Sequence, residues 1–255
     1  MTAHVIAIFN AKGGVGKTTT ACSLGAGLKK FYAKKVLIVD VDPQGHTGIS
    51  FNLKIFDLEK RVDGILLKRI SAEEAITQTD QGIDVIPSNL FLADAELQIT
   101  AMPGREVLLR KAIGKIKEKY DFILFDCPPN VGILSLNALM ASKYVIAPVD
   151  TKFYGLTALP VINRMLGLVR DDLDHPIELL GVLATRHDAR TNLCIQSLSE
   201  LKKAREFRLF ETVIPEATKI GEAPSFKLSV FEHAPKDKGA KAYKQFVEEV
   251  MSRVK

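Results

Sequence analysis

One junction constrains this chain more than any other feature. "HVIAIF" at 4–9 runs into "NAKGGVGKTTT" at 10–20, and helical spacing continues from Thr18 to Phe31. An apolar run, a glycine loop and a helical stretch in direct succession predict a strand, a tight turn and a helix whose start faces that turn. Successive N–H groups of such a loop point inward and the helix N-terminus adds partial positive charge, so a polyphosphate meets preorganised donors. Gly13, Gly14 and Gly16 let the backbone approach, and the whole segment Lys12, Gly13, Gly14, Val15, Gly16, Lys17, Thr18 and Thr19 is expected to wrap the phosphates. Lys17 is placed to reach the β- and γ-phosphates, and the Thr18 hydroxyl to coordinate Mg²⁺. The pattern G-x-x-x-x-G-K-[ST] is met except at Ala11. The loop also carries a second lysine, Lys12, where one would neutralise a phosphate.

The rest of the chain repeats the strand-then-helix alternation. Runs rich in Val, Ile and Leu stand at 36–41, 83–87, 122–126, 144–149, 179–185 and 212–215, with lengths that suit strands buried on both faces. Helical spacing fills Arg105 to Tyr120 and Thr191 to Arg205, and a further helix is expected over Val62 to Ile76. The fold class this implies is α/β, a mainly parallel twisted sheet with helices on both faces, and the glycine-loop motif makes it a P-loop NTPase fold. No repeat or Pro/Gly-rich linker divides the 255 residues, so residues 1–255 are expected to form a single domain.

Three carboxylates end predicted strands, where ligands sit in open α/β sheets. Asp40 and Asp42 in "LIVDVDP" are two apart and share one side of an extended chain; Asp126 in "FILFDCPP" is the expected carboxylate behind Mg²⁺. Phosphoryl transfer is mostly positioning and charge stabilisation, so a lysine, a metal and a water-orienting group suffice. Cys22, Cys127 and Cys194 are odd in number and far apart, which fits reduced thiols rather than a disulfide framework or a metal cluster. No apolar run reaches the length of a membrane span and the N-terminus lacks a basic n-region, so a cytoplasmic location is expected. The net charge is +5, and residues 186–255 carry 14 Lys/Arg against 10 Asp/Glu. That excess suits either a solvated surface or an acidic partner such as nucleic acid.

"KGGVGKTTT" resembles the deviant Walker A motif of the ParA/MinD family of ATPases, whose signature residue is the early lysine, here Lys12. "VDVDPQG", "DCPPNVGILSLNALMAS", "DARTNL", "IGEAPS" and "KGAKAY" are similar to the chromosomal ParA (Soj) and short plasmid ParA branch, from about His4 to Val250. The resemblance implies ATP and Mg²⁺ as cofactors, slow ATP hydrolysis, and a homodimer in which Lys12 reaches the partner subunit's phosphates while Lys17 serves its own. It further implies that Asp42 positions the attacking water, that Asp40 supports the Mg²⁺ shell formed by Thr18 and Asp126, and that Pro215 packs near the adenine.

By the same resemblance, Arg190 and Lys219 bind DNA without sequence preference, a ParB-like protein stimulates hydrolysis, and the protein is nucleoid-associated. Ala11, His46, Asp150 and Glu216 depart from residues common in this branch, and Glu216 stands where a basic residue is frequent. The chain begins at the first strand, which leaves no room for an N-terminal helix-turn-helix, so operator-specific autorepression is not expected. The tail "AYKQFVEEVMSRVK" carries Phe246, Val247, Val250, Met251 and Val254 on one stripe. Such a stripe serves a MinD-like membrane anchor or a helix packed on the core. Packing is expected, because Glu248 and Glu249 oppose contact with anionic lipid. Two alternatives stay open beside a partition ATPase: a MinD-like membrane-associated positioning ATPase, and a nucleotide-bound DNA-binding scaffold with little hydrolysis.

Overall fold

The computed structural model describes residues 3–152 and 157–255. Among the described residues eight strands form one sheet: β1 (His4–Ile8), β2 (Val36–Asp40), β3 (Thr77–Gln78), β4 (Asp84–Ile86), β5 (Phe122–Asp126), β6 (Tyr144–Asp150), β7 (Glu178–His187) and β8 (Val213–Pro215). Their order is β3-β4-β2-β5-β1-β6-β7-β8, and every pairing is parallel except the short β3 against β4. The helices are α1 (Lys17–Tyr32), α2 (His46–Ser50), α3 (Val62–Leu66), α4 (Phe91–Thr100), α5 (Leu108–Gly114), α6 (Ile133–Ala141), α7 (Ala158–Gly167), α8 (Asn192–Lys203), α9 (Thr218–Glu222), α10 (Val230–His233) and α11 (Lys238–Arg253). The α/β class expected from the sequence is what the chain adopts.

Strand side chains alternate between two cores. Val5, Ala7, Leu37 and Val39 face one side, where Leu92, Leu109, Leu139 and Ile162 of α4, α5, α6 and α7 cover the sheet. Ile6, Ile8, Val36 and Ile38 face the other, against Leu24, Phe231, Tyr243 and Phe246 of α1, α10 and α11. The apolar stripe of α11 is spent here: Phe246, Val247 and Val250 are fully buried, and Met251 and Val254 pack partly buried against the same core. No helix among the described residues is long and apolar enough to cross a membrane.

Two helical expectations need correction. The helix expected over Val62 to Ile76 stops at Leu66, because Lys68 enters the left-handed region at φ 57. Lys68 N–H donates to the Ile65 carbonyl and Arg69 N–H to that of Gly64, a Schellman closure with lysine where glycine is usual. The stretch Arg105 to Tyr120 is likewise broken, with α5 flanked by single 3-10 turns at Arg105–Val107 and Lys117–Lys119.

Candidate functional site

The carboxyl ends of β1, β2 and β5 lie side by side, with Ile8 opposite Asp126 and Asp126 opposite Asp40. From β1 the chain enters the loop that leads to α1. Gly16 caps that helix at φ 88 and Gly14 stands at φ 73, conformations open to glycine at little cost. Asn10 anchors the loop from below: its Nδ2 donates to the Pro148 carbonyl at 2.7 Å and its Oδ1 accepts from Lys12 N–H at 2.9 Å. The Thr185 hydroxyl on β7 donates to the Val15 carbonyl at 2.9 Å. The loop closes around Lys17, which is 7% exposed and donates from Nζ to the Lys12 carbonyl at 2.9 Å. Burial pulls the Lys17 ammonium below its usual pKa, and the Asp126 charge opposes that fall. Lys12 itself is half-buried.

Behind the loop lie two fully buried carboxylates joined by a residue that the sequence reading did not single out. Thr47, near the start of α2, donates its N–H to Asp40 Oδ2 at 3.0 Å and its hydroxyl to Asp126 Oδ2 at 2.9 Å. Asp40 Oδ1 accepts the Asp42 N–H at 3.0 Å, so both Asp40 oxygens are committed to backbone groups. Asp126 Oδ1 is buried with no hydrogen-bond partner. Burial pushes the Asp126 carboxyl up to about 6, against the Thr18 and Thr47 hydroxyls and the Lys17 ammonium, which lower it. Burial, then the Asp126 charge, also raises Asp40. An unpartnered carboxylate oxygen beside a threonine at a helix start is a donor set suited to a hard divalent cation. Among the described residues no group of three or more His, Cys, Asp or Glu is arranged to hold a metal.

Asp42 lies just past the end of β2, yet stays within charge range of Asp40, Asp126 and Lys17. Strand β2 ends at Asp40 and the chain turns, leaving Asp42 half-buried with its Oδ1 accepting the Gln44 N–H at 3.0 Å. The ladder ends at Val41, whose N–H donates to the Asp126 carbonyl, and the chain then turns so that the Asp42 N–H meets Asp40 Oδ1.

On the other flank of α1, Pro215 ends β8 beside a cavity of about 240 Å³ lined also by Gly14, Gly16, Thr19, Arg186 and Tyr243. A second cavity of about 230 Å³, walled by Thr18, Cys22, His46, Phe51 and Leu228, shares Thr19 with it. Two of the departures noted in sequence meet above the first cavity. Glu216 pairs with Lys152 at 2.8 Å and with Arg186 at 3.3 Å, and Arg186 lies 3.8 Å from Asp150. Arg186 and Thr185 were missed by sequence reasoning, since nothing local marks a residue whose partners lie about 170 positions away.

The two DNA candidates stand apart from this machinery. Arg190 follows β7 and Lys219 lies on α9 after β8, at the carboxyl ends of neighbouring strands. Each is exposed and each is paired close in sequence: Arg190 with Asp188 at 2.8 Å, and Lys219 with Glu222 at 2.8 Å.

Comparison with known proteins places this geometry. The family described as AAA domain matches residues 3–179. The sporulation initiation inhibitor protein Soj of Bacillus subtilis is 40% identical over 247 residues, covering 96% of this chain and 97% of that protein. The chromosome partitioning protein ParA of Myxococcus xanthus is 33% identical over 251 residues, covering 98% of this chain and 88% of that one. Among solved structures, a cobyrinic acid a,c-diamide synthase from Mycobacterium smegmatis with bound ATP analogue and magnesium superposes with a TM-score of 0.85 at 32% identity, covering 96% of this chain and 93% of that one. With its glycine loop, its two loop lysines and its buried Asp126, the chain belongs to the ParA/MinD family of ATPases, alongside Soj and ParA.

Proposed function

We propose that this chain is a Mg-ATP-dependent dimerising ATPase that binds DNA without sequence preference and partitions or positions a chromosome, plasmid or other cargo. One observation carries the nucleotide half of this reading: the buried Lys17 ammonium, held on the Lys12 carbonyl, lies within charge range of Asp126, whose Oδ1 is unpartnered. Thr18 and Asp126 would hold Mg²⁺, and Asp40 supports them from behind by fixing the turn that carries Thr47. An ion held there would supply positive charge against the phosphates of the nucleotide. Lys17 serves the same phosphates from its own subunit, loop N–H groups from Gly13 to Thr19 cradle them, and Pro215 borders the space for the base. Asp42, at the edge of the loop and only half-buried, is the residue assigned to orient the attacking water. The one sheet that runs through the chain supports reading residues 1–255 as one ATPase domain.

The trans role of Lys12, the ParB-like stimulating partner and nucleoid association rest on kinship with Soj and ParA. A cation delivered only on dimerisation stabilises phosphate charge only then, which makes the dimer the active form. The membrane alternative has less support, because the stripe it needs on α11 is buried against α1 and the sheet.

The test combines three measurements on the wild-type chain. Phosphate release from ATP without any acid or amide donor separates an ATPase from an amide-forming synthase. Gel filtration with ATP and with ADP reads dimerisation. Co-sedimentation with non-specific duplex against anionic vesicles separates the partition reading from the membrane one. ATP-dependent dimers that sediment with DNA support the proposal; dimers that sediment only with vesicles overturn its DNA half, and no phosphate release overturns its catalytic half.

A further inference from the structure

Arg186 stands in a conformation that its residue type rarely adopts. At the end of β7 its φ is 51, the left-handed region that a Cβ disfavours, where the β7–β8 register shifts between Ala184 and His187. The backbone around it is held from both sides, by Thr151 N–H on the Thr185 carbonyl and by Glu216 N–H on the His187 carbonyl. A strained residue that its surroundings over-determine invites the question of what its side chain does.

That side chain crosses to the nucleotide loop. Arg186 Nη1 donates to the Gly14 carbonyl at 3.0 Å, while Nε faces Glu216 Oε2 at 3.3 Å and Asp150 stands behind at 3.8 Å. Glu216 is itself held by Lys152 at 2.8 Å. Burial alone would raise the Glu216 carboxyl, yet hydrogen bonds from Lys152 and Arg186 bring it below its usual value. An exposed ion network is worth little by itself and does not require φ 51. The contact with Gly14 gives that strain a use. In a planar trans peptide the C=O and N–H point in opposite directions, so drawing the Gly14 carbonyl toward Arg186 aims the Val15 N–H the other way.

We propose that Arg186 is a positioning residue for the nucleotide, turning the Gly14–Val15 peptide so that its N–H faces the phosphates, with Asp150 and Glu216 fixing the guanidinium. This rests on the nucleotide-binding reading above. The ends of β6, β7 and β8 are thereby tied to the loop through one side chain.

Arg186→Gly separates positioning from mere structure, because glycine adopts φ 51 freely. Its melting temperature should equal or exceed that of wild type while ADP affinity, read by calorimetry, falls about tenfold through loss of one charge-assisted hydrogen bond. KM for ATP should rise by a similar factor with kcat changed less than about twofold, as expected where ground state and transition state share the contact. Arg186→Lys, which keeps a donor for the Gly14 carbonyl, should recover most of the loss, and Glu216→Gln should weaken ADP by only about twofold. Wild-type ADP affinity in Arg186→Gly, or a melting temperature that falls together with affinity, overturns the proposal. A wild-type chain that binds neither ADP nor ATP overturns the nucleotide reading instead.

Discussion

Lys17 and Arg190 are both cations with a carboxylate nearby, and the fold treats them in opposite ways. Lys17 is 7% exposed, and its counter-charge Asp126 is fully buried on a strand more than 100 positions along the chain. The side chain of Arg190 is 88% exposed, and its partner Asp188 is two residues away. Lys219 repeats the second pattern with Glu222. Charges buried by tertiary structure cannot be relaxed by water, so removing one leaves the other stranded. Surface pairs made by neighbours are screened by salt and replaced by solvent at small cost. The nucleotide end is therefore a fixed device, while the proposed DNA surface is adjustable, with cations that must leave a local carboxylate before they meet a phosphate.

The contrast predicts an ordered series of effects. Lys17→Ala should weaken ATP binding the most, by roughly a thousandfold or about 4 kcal/mol, since it removes a desolvated cation; calorimetric titration with unchanged affinity would show that the loop is not the nucleotide site. Next comes pH. The folded Asp126 carboxyl titrates at about 6, above the ordinary 3.8. Below pH 4 both folded and unfolded chains hold this proton; between 4 and 6 only the folded chain keeps it, so stability falls as pH rises through that window and stays lower above it. In metal-free protein this one group is worth about 3 kcal/mol. Urea melts of wild type minus Asp126→Asn across pH 4 to 7 isolate it, and a flat difference curve would break the burial argument.

Smaller effects follow. Asp42→Ala should slow ATP turnover about a hundredfold while leaving ATP-driven dimers intact on gel filtration; a variant that stays monomeric with ATP gives Asp42 a different role. At the surface, Arg190→Ala and Lys219→Ala should each weaken all duplexes only about threefold and flatten the salt slope by less than one, because each cation is already half-neutralised. The pairing itself is exposed by Glu222→Gln, which frees Lys219 and should raise DNA affinity by about twofold. Lower affinity in that variant would mean that Lys219 does not touch DNA.

What the sequence disclosed follows the same division between local and long-range. Strand β5 coincides with its apolar run at 122–126, and α1 lies within a residue or so of the helical spacing that follows Gly16. Fully buried strands and a glycine-lysine-threonine helix start leave local signatures. The helix over Val62 to Ile76 was misread because Lys68 takes a left-handed cap, a role for which lysine carries no mark. Thr47 was invisible, since its two carboxylate partners come from β2 and β5. Arg186 was equally hidden, as its value lies in a carbonyl 172 residues away. Asp188 beside Arg190 was readable in "DARTNL", although only the structure shows the two side chains paired.

The central claim is that ATP, held at the fixed end of the molecule, controls DNA affinity at the adjustable end. Two copies of a weak basic surface on one duplex bind far better than one, so the dimer should supply what neither Arg190 nor Lys219 supplies alone. The direct measurement is affinity for a non-specific duplex as a function of salt, with Mg-ATP and with Mg-ADP, on Asp42→Ala to hold the ATP state. Affinity at least about tenfold higher with ATP, falling steeply with salt and indifferent to sequence, is the predicted result. Equal affinity with ATP and ADP would contradict the account.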